Sequence, residues 1–305
     1  MSVVVKDKAM SGLVDPGVDI EAVATGFSFT EGPVWHPNGY LLFSDIPNDA
    51  RWKWSKQDGP IEVLNPANKC NGMALDSELR LLICEHSTSS LIRAHLDING
   101  EEISREVLAT HYRGQELNSP NDVVIRSDGG IYFTDPPYGR MKVYGKLRKQ
   151  EMTLQGVYRI DPKSNELLLV ADDFVMPNGI CFSPDESILY INDSELCHVR
   201  AFDVTGDGLL INGRVLLDGI GTGNSADGIP DGMKCDTHGN IWVTGPRGLW
   251  VISPVGKHLG VIEIPEHVGN LAWGGRDWSE LYIPSSTSVY RMQTRTSGAL
   301  CGYMG

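Results

Sequence analysis

Six times along its length the chain repeats one plan: a polar residue, a small residue or Asp, an apolar run, a turn rich in Asp, Ser, Asn and Gly, then a second run ending in polar residues. The copies read EGPVWHPNGYLLFSD from Glu31, NGMALDSELRLLICEH from Asn71, NDVVIRSDGGIYFTD from Asn121, NGICFSPDESILYIND from Asn178, DGMKCDTHGNIWVTG from Asp231 and NLAWGGRDWSELYIP from Asn270. Periods of ~40–50 residues are the signature of propeller blades. The turns PNGY, SDGG, PDES and THGN supply the Gly, Asn and Asp that tight hairpins need. No stretch between them sustains the apolar period of a helix. Further strands follow in SLIRAHLD, GVYRIDP and HVRAFDV, giving three or four per unit. The prediction is an all-β fold, a six-bladed β-propeller formed as a single domain over residues 1–305.

Closure of the ring is also readable. The last unit offers only NLAWGG, ELYIP and SVYRM, one strand short of a blade, while DIEAVATGF at 19–27 belongs to no blade of its own. We expect this N-terminal segment to pair as the outer strand of the last blade, which removes two exposed edges. Residues 1–17 read as an extension.

The chain has 26 Lys and Arg against 39 Asp and Glu, a net charge of −13. Phosphate backbones and anionic bilayers are held by basic surfaces, so nucleic acid and membranes are excluded as partners. Only three consecutive apolar residues precede Lys6, too few for a secretory core, and a cytoplasmic protein is expected. Cys70, Cys84, Cys181, Cys197, Cys235 and Cys301 follow no paired spacing, so free thiols are expected. The sequence leaves monomer and homodimer both open.

In a propeller the first strand of each blade lines a central channel. The six leading residues, Glu31, Asn71, Asn121, Asn178, Asp231 and Asn270, are therefore expected to converge on one mouth of it. Alone, an Asn or Asp at a strand start satisfies nearby backbone groups. A ring of oxygen donors without His or Cys describes instead a site for one hard divalent cation. Calcium is the expected ion, with magnesium, manganese or zinc as alternatives, and Glu31 with Asp231 would balance its charge. The second strands end at the same mouth in Asp45, Glu85 with His86, Asp135, and Asn192 with Asp193, most of which read as support for the loops.

The blocks FTEGPVW (28–34), LNSPNDVVIRSDGGIYFTDPPYG (117–139), LQGVYRIDP (154–162), MPNGICFSPDESILYINDS (176–194), IPDGMKCDTHGNIWV (229–243) and LAWGGRDWSELYI (271–283) resemble the SMP-30/gluconolactonase group, also called regucalcin-like. The resemblance spans nearly the whole chain. It implies a divalent ion held by a Glu, two Asn and an Asp from the heads of four blades, here Glu31, Asn121, Asn178 and Asp231, and it implies hydrolysis of sugar-acid lactones with Asp231 as general base. Ser119 is a departure: regucalcin-type sequences carry an Arg two residues before this Asn, whereas the bacterial gluconolactonase type reads NSPND as here. Contacts of the Arg-bearing type therefore do not transfer.

A metal would polarise the carbonyl of a small-molecule lactone and activate a water. Asp231 would handle the proton, and Asp122 is the second catalytic candidate, for orienting water or a sugar hydroxyl. The segment PPYGRMKVYGKLRKQEMTLQG (136–156) is longer than a blade turn requires and concentrates Arg140, Lys142, Lys146, Arg148 and Lys149. It is expected to overhang the mouth as a lid whose Tyr138 and Arg140 meet the substrate, with His86 and Asn71 as further contacts. The chain has no GxSxG elbow, HExxH, Walker loop or EF-hand loop. Two alternatives stay open: a metal-dependent phosphotriesterase on the same scaffold, and a non-catalytic propeller that uses calcium for stability.

Overall fold

The apolar runs YLLF, LLIC and IYF have no polar alternation because each blade is packed on both faces, so successive side chains enter opposite seams. Leu41 and Phe43 pack towards blade 6 while Leu42 packs towards blade 2. Likewise Tyr132 enters the seam with blade 4 and Phe133 the seam with blade 2. Six buried apolar clusters result, one for each seam of the ring. Aromatic pairs lock three of them: Trp242 meets Trp273 edge-on at 5.2 Å, Tyr132 meets Phe182 edge-on at 5.2 Å, and Trp35 stacks on Tyr282 at 5.0 Å.

The computed structural model describes residues 1–299, 301, 302 and 304. Six antiparallel blade sheets follow one another in chain order, with a two-stranded hairpin, His111–Tyr112 against Gln115–Glu116, between blades 2 and 3. From axis to rim, blade 1 runs from Thr30–His36 to Gly59–Leu64, blade 2 from Cys70–Leu75 to Glu102–Ala109, and blade 3 from Val123–Ile125 to Leu167–Phe174. Blade 4 runs from Pro177–Phe182 to Leu210–Leu217, blade 5 from Met233–Cys235 to His258–Glu263, and blade 6 outward from Ala272–Gly274.

The predicted closure is present. Ile20–Thr25 pairs with Ser288–Gln293, Ile20 opposite Met292 and Thr25 opposite Ser288, and so completes blade 6. Residues 1–17 do more than extend the chain. Ser2–Val5 adds a fifth strand to blade 5 against His258–Glu263, and the helical turn Met10–Leu13 puts Met10 and Leu13 into the seam between blades 5 and 6. All six cysteines are free, five of them buried. No helix among the described residues is long and apolar enough to cross a membrane.

Candidate active site

Local backbone features deliver the six leading residues. In blades 1, 2 and 4 the pairing register slips at Glu31/Val34, Cys70/Met73 and Pro177/Ile180, irregularities that re-aim a side chain off the sheet face. Neighbouring blades then clasp the carbonyls of four leading residues. The Gly72 N–H donates to Asn121 O at 2.8 Å and the Gly179 N–H to Asp231 O at 3.1 Å. Ser44 Oγ donates to Asn71 O at 2.9 Å and Thr134 Oγ1 to Asn178 O at 2.8 Å. Such close approach explains the glycine that follows four of the six: a Cβ on Gly32 would stand 1.8 Å from Asn71 O, and one on Gly179 2.2 Å from Asp231 O.

The carboxylates that end the second strands fix the incoming loops. Asp45 accepts from the N–H groups of Ser28 and Phe29 at 3.2 and 3.1 Å, Asp135 from Asn118 and Ser119 at 2.8 and 2.7 Å, and Asp193 from Val175 and Met176 at 2.7 and 3.1 Å. In every case the donors lie three and two residues before the blade's leading residue. Each Asp thus sets the angle at which that residue enters the channel.

The leading residues open on a cavity of about 240 Å³ lined by Glu31, Asn71, Asn121, Asn178 and Asp231, with Phe29, His86, Tyr138, Tyr144 and His267 on its walls. Asn270 sits behind them and donates Nδ2 to Glu31 Oε2 at 2.9 Å. A one-way amide chain joins the rest. Asn71 donates to Asn121 Oδ1, Asn121 Nδ2 to Asn178 Oδ1 at 2.5 Å, and Asn178 Nδ2 to Ser194 Oγ at 3.0 Å. Its upstream end leaves Asn71 Oδ1 buried with no hydrogen-bond partner.

Charge is crowded here. Burial, with Asp122 adding to it, pushes the Glu31 carboxyl up to about 7 against the opposing N–H donors of Gly32 and Asn270. Asp231 is raised well above the ordinary carboxylate range, first by burial and then by Glu31. Two carboxylates that resist joint ionisation, beside the amides of Asn121 and Asn178 and with no His or Cys ligand, form an oxygen-donor set that fits a hard divalent cation. Among the described residues no group of three or more His, Cys, Asp or Glu could hold a metal, so an ion here would depend on the Asn oxygens. That donor set suits calcium, magnesium or manganese better than zinc.

A family model for the SMP-30/gluconolactonase/LRE-like region matches residues 29–287. The chain belongs to the SMP-30/gluconolactonase/LRE-like family. The gluconolactonase of Zymomonas mobilis subsp. mobilis is 30% identical over 310 residues, covering 95% of this chain and 85% of that one. Regucalcin of Danio rerio is 27% identical over 84% of this chain and 82% of its own. A solved structure of a gluconolactonase from Xanthomonas campestris matches with a TM-score of 0.85 at 28% identity, over 96% of this chain and 95% of that one.

On this SMP-30/gluconolactonase propeller three residues of the 136–156 segment line the cavity. Tyr138, in the 3₁₀ turn Pro137–Arg140, reaches Ser194 and Asn178, and Met141 and Tyr144 complete the wall. Arg140, expected to meet the substrate, does not line the cavity. Its guanidinium donates to the carbonyls of Leu117, Asn118 and Lys149 at 2.5, 2.7 and 2.7 Å and pairs with Glu116 at 2.9 Å. Loop carbonyls without strand partners are strong acceptors, and the guanidinium fork satisfies several at once. Ser119 serves the same end: its Oγ accepts from the Gly139 N–H at 2.8 Å and donates to Pro136 O at 2.5 Å. Where regucalcin-type sequences carry Arg, this chain seats the 136–156 segment.

His86 is buried, and burial lowers its pKa to about 4, so the ring is neutral. Nδ1–H donates to Tyr144 O at 2.9 Å, which leaves Nε2 to accept from Asn71 Nδ2 at 3.2 Å. Asp122 lies beneath the cavity rather than in its lining, with Oδ1 accepting from the Val123 N–H at 2.9 Å and Oδ2 3.6 Å from Lys234 Nζ. This placement takes it away from water or a sugar hydroxyl in the cavity. Lys234 is the residue that the sequence reading missed.

Proposed function

We propose that this chain hydrolyses lactones of sugar acids with the aid of one divalent cation, calcium in the first instance, held by Glu31, Asn121, Asn178 and Asp231. The observation that carries the reading is the convergence of two carboxylates, of which Glu31 raises the pKa of Asp231, and a run of Asn amides on one small cavity. The gluconolactonases among its relatives support the substrate class. When bound, such an ion supplies Lewis acidity towards a carbonyl oxygen and makes water easier to deprotonate.

The chain's own groups divide the remaining work. Asp231, partly exposed to the cavity and contacted by Asn178, takes the proton from the attacking water. The free Asn71 Oδ1 accepts from a ring hydroxyl, and Tyr138 offers a phenol to the same side. The 136–156 segment, pinned through Arg140 and Ser119, acts as a lid that keeps bulk water from the reacting ester.

A proton-release screen against γ- and δ-lactones of sugar acids tests this, with and without chelator and with a phosphotriester alongside. Turnover should vanish on chelation and return with calcium. Faster phosphotriester cleavage would move the assignment to that reaction. Thermal stabilisation by calcium with no lactone turned over would make the protein a non-catalytic propeller.

A further inference from the structure

The residue three places after each leading residue is Val34, Ala74, Val124, Cys181, Lys234 or Trp273, and all six line a second cavity at the far ends of the inner strands. Five cannot carry a positive charge, and the sixth is a lysine. Its side chain is 26% exposed, yet its ammonium is engaged by the protein. Nζ donates to Met233 O at 3.1 Å and to Asn270 Oδ1 at 3.5 Å, and it stands 3.6 Å from Asp122 Oδ2. Asp122 in turn occupies the position where Gly32, Gly72, Gly179 and Gly232 stand in four other blades. Its side chain is only 3% exposed and Oδ2 has no hydrogen-bond partner, so Lys234 is the cation placed to balance it.

Three carboxylates, Glu31, Asp122 and Asp231, share this end of the channel, and each raises the pKa of another or is raised by it. A divalent ion neutralises two of the charges. The third is matched from below, and Asn270 links Lys234 to Glu31 by accepting from the one and donating to the other. We infer that Lys234 is a resident cation of the channel, a positioning residue whose fixed charge, paired with Asp122, sets how tightly the mouth holds its divalent ion. The inference rests on the metal reading above.

Calorimetric titration of chelator-stripped protein with calcium separates the two. Lys234→Met removes the repelling charge and should tighten calcium binding about tenfold, since charges under ~10 Å apart in a buried site are weakly screened. Lys234→Arg keeps the charge and should stay within about threefold of wild type. Asp122→Asn leaves the ammonium unopposed and should weaken binding about tenfold. Should Lys234→Met not fold, Lys234→Gln and Asp122→Asn carry the test. Wild-type protein that binds no divalent ion refutes the metal reading. Wild-type protein that binds calcium, with Lys234→Met or Lys234→Gln equal to it or weaker, or with Asp122→Asn unchanged, refutes the role of Lys234 alone.

Discussion

Glu31→Gln should make the metal-free protein more stable while destroying its response to calcium. Burial and Asp122 lift the Glu31 carboxyl from an ordinary 4.5 to about 7. At 1.36 kcal/mol per pH unit, holding it ionised at neutral pH and above costs the folded state about 3 kcal/mol. The sign follows from proton uptake: the folded protein keeps the proton longer than the unfolded chain. The Glu31 contribution to stability is therefore most favourable below pH 4.5, declines as pH rises to about 7, and is flat beyond. Gln carries no charge, yet its Oε1 can still accept from Gly32 and Asn270, the present partners of Glu31. With roughly 2 °C of melting temperature per kcal/mol in a chain this long, the variant should melt about 6 °C above wild type at pH 8 in chelator. At pH 4.5 the two should coincide. Adding calcium should raise the wild type and leave Glu31→Gln unmoved. Scanning calorimetry across pH 4.5 to 8 decides it, and a variant no more stable than wild type at pH 8, or a gap that does not close in acid, refutes the reasoning.

Asp231→Asn should keep its melting temperature in chelator within a few degrees of wild type and lose lactone turnover by at least about a hundredfold, the usual contribution of a general base; near-normal hydrolysis would remove Asp231 from the chemistry. Gly32→Ala places a methyl 1.8 Å from Asn71 O at a φ of +54° and should cost about 3 kcal/mol in urea unfolding. Arg140→Met strips the donors from three loop carbonyls; hydrogen exchange at Gly139 and Gly145 should quicken and KM should rise, with exchange in the blade strands unchanged.

Much of this molecule is legible in its sequence because propeller chemistry is local. Each hairpin carries its own turn residues, and strands packed on both faces read as unbroken apolar runs, so a polar residue at their head stands out. The closing strand Ile20–Thr25 emerges by subtraction, since blade 6 lacks one. What stays hidden depends on proximity. SVVV at 2–5 could pair with any rim strand, and only the folded ring brings it to blade 5. Arg140 looked like a substrate contact because basic residues are scarce in this chain; the carbonyls that claim it are invisible until the loop is built. Lys234 was within reach, a single ammonium at a place where every other blade has an uncharged side chain. Asn270 joins the leading residues by alignment but stands behind Glu31, a distinction of depth that a linear pattern does not encode.

The pairing of Ile20 with Met292 also has a temporal side. On the ribosome this rim strand waits for its partner until the other five blades have been made. Until then the growing arc carries two raw flanks, one at each extremity, and a loose ribbon able to pair with a neighbouring nascent chain. Pairing of Ile20–Thr25 with Ser288–Gln293, more than the completion of any earlier blade, commits this protein to its native ring.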